Sequence, residues 1–165
     1  MGHLYRFLDT TGDGTGTKNA NVDGSSTAVT FRYNPGSGDR TEIARMIVHI
    51  EDAAPFSADE YGNLGAALTN GVLVQIRKYE DNATVIDLCD GLPVKSNSQW
   101  SRMCYDMDTD SFGAGNDHVK IRWTFAKSGS PLYIQDDEYF CIVVQDNLTG
   151  LVEHYFMIQG MVEHV

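Results

Sequence analysis

Cysteine is scarce and poorly spaced for its common uses. Cys89, Cys104 and Cys141 are the only three in 165 residues. An odd number with no close pair excludes a disulfide framework and a thiolate zinc site. Cys141 lies in an apolar run and Cys104 sits beside Met103 and Tyr105, so both read as small buried hydrophobes, and a reducing site of synthesis is the simplest expectation. No apolar run approaches the ~18 residues that a membrane-crossing helix needs. Residues 1–7 lack a basic segment followed by an apolar one, so no signal peptide is expected. Arg6 stands where a myristoylation signal wants Ser or Thr. Positive charge is short as well: 12 Lys and Arg stand against 23 Asp and Glu, a net charge of −11. Nucleic acid and anionic membrane need a cationic surface, so neither is expected as a partner. Solubility, cation binding and docking on a basic protein all remain compatible with that charge.

Catalytic signatures are missing too. His3, His49, His118, His154 and His164 are scattered without metal-ligand spacing. His49 and His154 fall within strands where a carboxylate is in reach, but each histidine reads first as an ordinary sheet position. No Ser or Cys has a nucleophile context such as Gly-x-Ser-x-Gly. The segment Asp9-Thr10-Thr11-Gly12-Asp13-Gly14-Thr15-Gly16 is glycine-rich, yet Lys18 precedes Asn19, no helix follows, and Asp9 and Asp13 would repel phosphate. Nothing selects a catalytic pair from the 23 acids. The expectation is a protein that is not an enzyme, with no catalytic, cofactor-binding or metal residues and no cofactor.

One acidic stretch invites a cation. Asp106, Asp108 and Asp110 take positions 1, 3 and 5 of a calcium loop, and Asp117 takes position 12. The match then breaks down. Ser111 replaces the glycine of the sharp turn, Asp117 is shorter than the bidentate Glu, and flanking helices are absent. Residues 106–117 are therefore read as a solvated acidic loop, and chelation is expected to leave stability unchanged.

What the sequence does carry is β pattern. His118, Lys120, Arg122 and Thr124 alternate with Val119, Ile121, Trp123 and Phe125, the period of a strand with one wet and one buried face. Apolar runs at 139–144 and 152–161 follow, separated by polar turns too short for a crossover helix. This implies antiparallel, meander-like pairing among these three. Further strands are expected at 3–8, 27–33, 72–79 and 84–88. Residues 41–51, with Ile43, Met46, Ile47, Val48 and Ile50, read as a central strand buried on both faces. Residues 52–70 are ambiguous: Ala53, Ala54 and Pro55 break the strand, while Ser57-Ala58-Asp59-Glu60 suits the cap of a short helix that Gly62 and Gly65 would weaken. Trp100, Met103 and Cys104 make a helical stripe in one short helix at 96–105. The fold class is all-β: an antiparallel two-sheet β-sandwich, jelly-roll-like, in a single domain spanning 1–165. A long polar loop or arm occupies about 9–26. Its glycines make ordering expensive, so it is expected to be mobile in the free chain and ordered against a neighbour. Trp100, Trp123, Tyr105, Phe112, Tyr133, Tyr139 and Tyr155 exceed what a core is expected to absorb, and some are expected in a sugar groove or an oligomer interface.

Several phrases carry a resemblance as a set: Leu8-Asp9-Thr10-Thr11-Gly12-Asp13-Gly14, Leu68-Thr69-Asn70-Gly71, Arg122-Trp123-Thr124-Phe125 with Ser128-Gly129, and Asp146-Asn147-Leu148-Thr149-Gly150-Leu151 before His154-Tyr155-Phe156 and Gln159-Gly160. Over nearly the whole chain the sequence resembles small virion structural proteins of tailed bacteriophages, of the capsid decoration (cement) type. The resemblance implies a β-sandwich made in the host cytoplasm and placed on the capsid exterior. Its partners would be the major capsid protein and further copies of itself, as a homotrimer at local three-fold positions. No catalytic residues are implied. The alternative is a tail or head-fibre module that binds host-surface glycans through aromatic faces.

Overall fold

The structure is a computed structural model. It describes the backbone of residues 2–103, 106–112, 116–125 and 131–164, and the side chains of all of these except 103 and 106–112. The strands are β1 (Gly2–Phe7), β2 (Val29–Tyr33), β3 (Asp39–Ala53), β4 (Val72–Lys78), β5 (Thr84–Asp87), β6 (Asp106–Phe112), β7 (Asn116–Thr124), β8 (Leu132–Ile134), β9 (Glu138–Val144) and β10 (Glu153–His164). One short helix, α1 (Asn97–Met103), lies between β5 and β6. Among the described residues no helix is long and apolar enough to cross a membrane.

The strands form two antiparallel sheets. One runs β1-β10-β3-β7-β6, with β8 pairing the first part of β3; the other runs β2-β9-β4-β5. Setting aside β6 and β8, the order 1-10-3-7 facing 2-9-4-5 is the eight-strand jelly roll of two Greek keys. The expected sandwich is what forms, but the pairing inside it differs from the expected meander. β7, β9 and β10 do not pair with one another: β7 pairs β3, β10 pairs β1 and β3, and β9 pairs β2 and β4 in the other sheet. The short connections cross from sheet to sheet over the ends of the sandwich, so a brief turn does not here signify a hairpin.

The core lies between the sheets. Ile43, Met46, Val48, Ile50, Val119, Ile121, Phe156 and Ile158 reach it from the first sheet, and Phe31, Val72, Val74, Ile76, Phe140, Ile142 and Val144 from the second. Val119, Ile121 and Phe125 are buried as the alternation predicts, and Trp123 packs half-buried against them. α1 contributes Trp100, which is fully buried. Of the expected helical stripe, the Met103 side chain and Cys104 lie outside the described residues. β3 is central but not buried on both faces. Its outward residues Glu42, Arg45, His49 and Glu51 are half-buried, and only Ile47 among them is closed off. β10 carries a bulge at Gln159/Gly160, where a Cβ on Gly160 would sit 1.8 Å from the Glu42 carbonyl oxygen. The close approach of backbones leaves room for glycine alone.

Two loop expectations change, and the open reading of 52–70 resolves to turns. Residues 106–112 form a strand, not a loop. Residues 52 and 53 end β3, and 54–70 are turns with no helix, held by Asp52, which accepts from the Asn63 N–H at 2.9 Å, and by Asn97, which accepts from the Gly62 N–H at 2.9 Å. The segment 9–26 is fastened to its own sandwich. Asp9 is fully buried and accepts from the Gly12 and Gly16 N–H groups at 2.6 and 2.9 Å. Backbone bonds tie Ala20 to His154, Leu148 to Val22 and Gly24 to Asp146. Ala20 is sealed in the core. The expected arm needed a neighbour to satisfy its backbone, and the chain itself does so.

Candidate functional site on the outer sheet face

The inner and outer faces of the six-stranded sheet use alternate residues of the same strands. The outer face is partly apolar. Register sets Phe7 opposite Met157 and Tyr155 opposite His49, with Met157 also opposite Ile47. Phe7 and Tyr155 meet edge to face at 5.4 Å, and Tyr155 stacks near parallel on His49 at 6.3 Å. These side chains line an open depression of about 190 Å³ that Lys120 and Glu153 border. Tyr5, two residues before Phe7 and on the same face, is 65% exposed.

Beside this strip lies a polar cluster. The β3–β7 register places His118 directly opposite Glu51, and Lys120 opposite His49. His49, Glu51 and His118 each offer a nitrogen or oxygen, and all three atoms lie within 4.8 Å of one another. His118 Nε2 is 3.6 Å from Glu51 Oε1, and the two imidazole rings are 5.2 Å apart. Asn116 Nδ2 donates to the same Glu51 oxygen at 3.1 Å. Burial holds the His49 pKa below its usual value, and the nearby His118 and Lys120 push the same way against a smaller opposing pull from Glu51.

His154, one residue from Tyr155, points the other way. It is fully buried. Its Nδ1 donates to the His49 carbonyl oxygen at 3.1 Å, so Nε2 accepts from the Tyr61 hydroxyl. Burial lowers its pKa to about 3 and raises that of Tyr61. This is a neutral structural histidine. A second concavity of about 320 Å³ lies near the β5 end, with Trp123, Leu88 and Leu92 as apolar walls and Gln99 and Arg102 as polar ones.

The structure sorts the residues singled out in the sequence. Cys141 and Cys89 are buried free thiols, and burial raises the pKa of each to about 11. Trp100 and Tyr139 are buried, Tyr133 is exposed, and Tyr155 belongs to the outer strip. Tyr105 and the Phe112 side chain lie outside the described residues. His164 pairs with Asp39, away from the cluster. Asp106, Asp108 and Asp110 fall opposite Arg122, Lys120 and His118 in the β6–β7 register. A straight paired strand does not wrap an ion as a calcium loop does. Asp117 faces the core instead, accepting from the Phe56 N–H at 3.1 Å.

Glu51 is the residue that sequence reasoning passed over. Its signal was His49-Ile50-Glu51, two potential ligands at strand spacing, but nothing local announces that His118 completes the group. Comparison of the chain with protein-family models, with curated proteins and with solved structures returns no match.

Proposed function

We propose that this chain is a structural virion protein that binds the outer surface of a phage capsid and stabilises it, as a homo-oligomer and most simply as a trimer. It acts as a decoration protein and not as an enzyme. The observation that carries the reading is the outer face of the six-stranded sheet. Tyr5, Phe7, Tyr155 and Met157, with Ile47 buried beneath them, form an apolar strip on a face that no other described element covers. A half-buried apolar strip with the exposed Tyr5 beside it suits a protein partner that completes its burial. Jelly rolls also serve widely as shell-building units, although a fold alone assigns no function. Attachment would work by mass action: contacts offered only by the assembled shell favour the assembled state.

Copy number tests the reading. Quantified band ratios from purified particles should show about one trimer per local three-fold position. A Phe7→Glu/Tyr155→Glu protein should fold yet fail to attach. A few copies per particle, or full attachment of the double variant, would overturn it. The second reading is a tail or head-fibre module that binds host glycans. The Trp123 concavity with Gln99 and Arg102 favours it, since an aromatic wall beside polar groups suits a sugar. That reading requires a low copy number and glycan binding that Trp123→Ala removes.

A further inference from the structure

We propose that His49, Glu51 and His118 form a binding site for a divalent transition metal of the zinc class, with three protein ligands and one coordination position open to the outer sheet face. The inference rests on the geometry of these residues and not on the assembly reading.

Strand periodicity builds the site. His49 and Glu51 are two residues apart on β3 and share its outer face. Antiparallel register brings His118 of β7 directly opposite Glu51 and diagonal to His49. The three donors form a triangle fixed by two paired backbones. Tetrahedral zinc bonds of ~2.0–2.1 Å separate ligand atoms by about 3.4 Å. His118 Nε2 and Glu51 Oε1 already stand 3.6 Å apart, and the largest separation in the group is within 4.8 Å. Side-chain rotations of about 1 Å close the remainder without moving the strands.

The donor set selects the metal. Two imidazoles and one carboxylate suit zinc, cobalt or nickel, whereas calcium and magnesium want oxygen ligands throughout. Supporting groups are in place. Asn116 holds the Glu51 carboxylate through its Oε1, the kind of outer contact that orients a ligand. Tyr155 stacks on His49 and restrains its ring. Lys120 stands opposite His49 and Glu153 borders the same depression. Glu153 also stands directly opposite Glu51 in the β3–β10 register, so a second carboxylate adds negative charge beside the cluster. The open position takes water or a donor atom from whatever covers this face.

The test uses the whole chain freed of metal by chelator dialysis. Zinc titration by calorimetry should give one equivalent bound and a raised melting temperature. Cobalt(II) should show the visible absorption of a four- or five-coordinate centre. His49→Ala and His118→Ala should each weaken zinc binding by more than about 100-fold, and Asn116→Ala by about tenfold. All these side chains leave the core free, so the metal-free variants should keep the parent melting temperature. Should an alanine variant fail to fold, Glu51→Gln, which keeps shape and the Asn116 contact, carries the same expected loss. No zinc binding by the parent chain, or unchanged binding in the folded variants, overturns the proposal.

Discussion

Two histidines separated by the thickness of one sheet behave in opposite ways. His154 and His49 lie on neighbouring strands, and one even bonds the backbone of the other. His154 points inward, with both ring nitrogens engaged, and is held neutral by burial. His49 points outward among Glu51, His118 and Tyr155, with solvent at hand. The difference between a packing residue and a ligand is thus one step along the strand. It also governs cost: the inward residue is fixed by everything around it, and the outward one is open to new partners.

The comparison breaks most visibly at Phe156 and Tyr155. Phe156 is fully buried between the sheets and packs on Phe31 and His154. Phe156→Ala should cost about 3–5 kcal/mol. Tyr155→Ala, on the outer face, should cost less than about 1 kcal/mol. Urea denaturation of the two proteins measures both. Equal losses would mean that the outer strip is as tightly packed as the core.

Acid sharpens the contrast next. An unfolded histidine titrates near 6.5, while native His154 takes up a proton only near 3. Between these values the unfolded chain binds more protons, so stability must fall as the pH drops. The slope approaches ~1.4 kcal/mol per pH unit, or about 2 kcal/mol between pH 6.5 and 5. His154→Leu should flatten that part of the profile. A parent protein with constant stability from pH 6.5 to 5 would show that His154 is not held neutral.

What the sequence disclosed follows the same division between one strand and several. The alternation from His118 to Phe125 told which side chains go in, because a half-buried strand writes its environment every second residue. The sandwich class followed from many such runs. Pairing did not follow, because a turn of a few residues either reverses a strand within its sheet or carries it over to the other one. Asp106, Asp108 and Asp110 show a second limit. Their period of two is the spacing of calcium-loop ligands and also that of one strand face. Only the register opposite Arg122, Lys120 and His118 decides between them. The candidate metal site was hidden for the same reason: His118 meets Glu51 through β3–β7 pairing, which no local pattern encodes.

A smaller effect is expected at the loop that closes one end. Asp9 gathers the Gly12 and Gly16 N–H groups on its two oxygens. Asp9→Asn keeps one acceptor oxygen and leaves one of those donors unmatched, at about 1–2 kcal/mol. Hydrogen exchange in the free protein should show Gly12 and Gly16 protected in the parent and faster in the variant. Ala20, bonded to the His154 carbonyl, should stay slow in both. Rapid exchange throughout 9–26 in the parent would restore the picture of an arm awaiting a neighbour.

The smallest effect concerns calcium, and it separates the outer face from the acidic strand beside it. β6 is extended and paired along its whole length with β7. Binding calcium at Asp106, Asp108 and Asp110 would require six or more oxygens around one point, and hence the loss of that pairing. Asp117, the fourth expected ligand, is already committed to the Phe56 N–H. Adding about 1 mM calcium, enough for weak extracellular-type sites, to the metal-free chain should therefore leave its melting temperature unchanged, and Asp108→Asn should behave alike with and without calcium. Zinc at the His49 cluster should raise the melting temperature under the same conditions. A rise of several degrees with calcium that Asp108→Asn abolishes would show that β6 gives up its pairing for the ion, and that the acidic strand, not the histidine cluster, is the cation site of this fold.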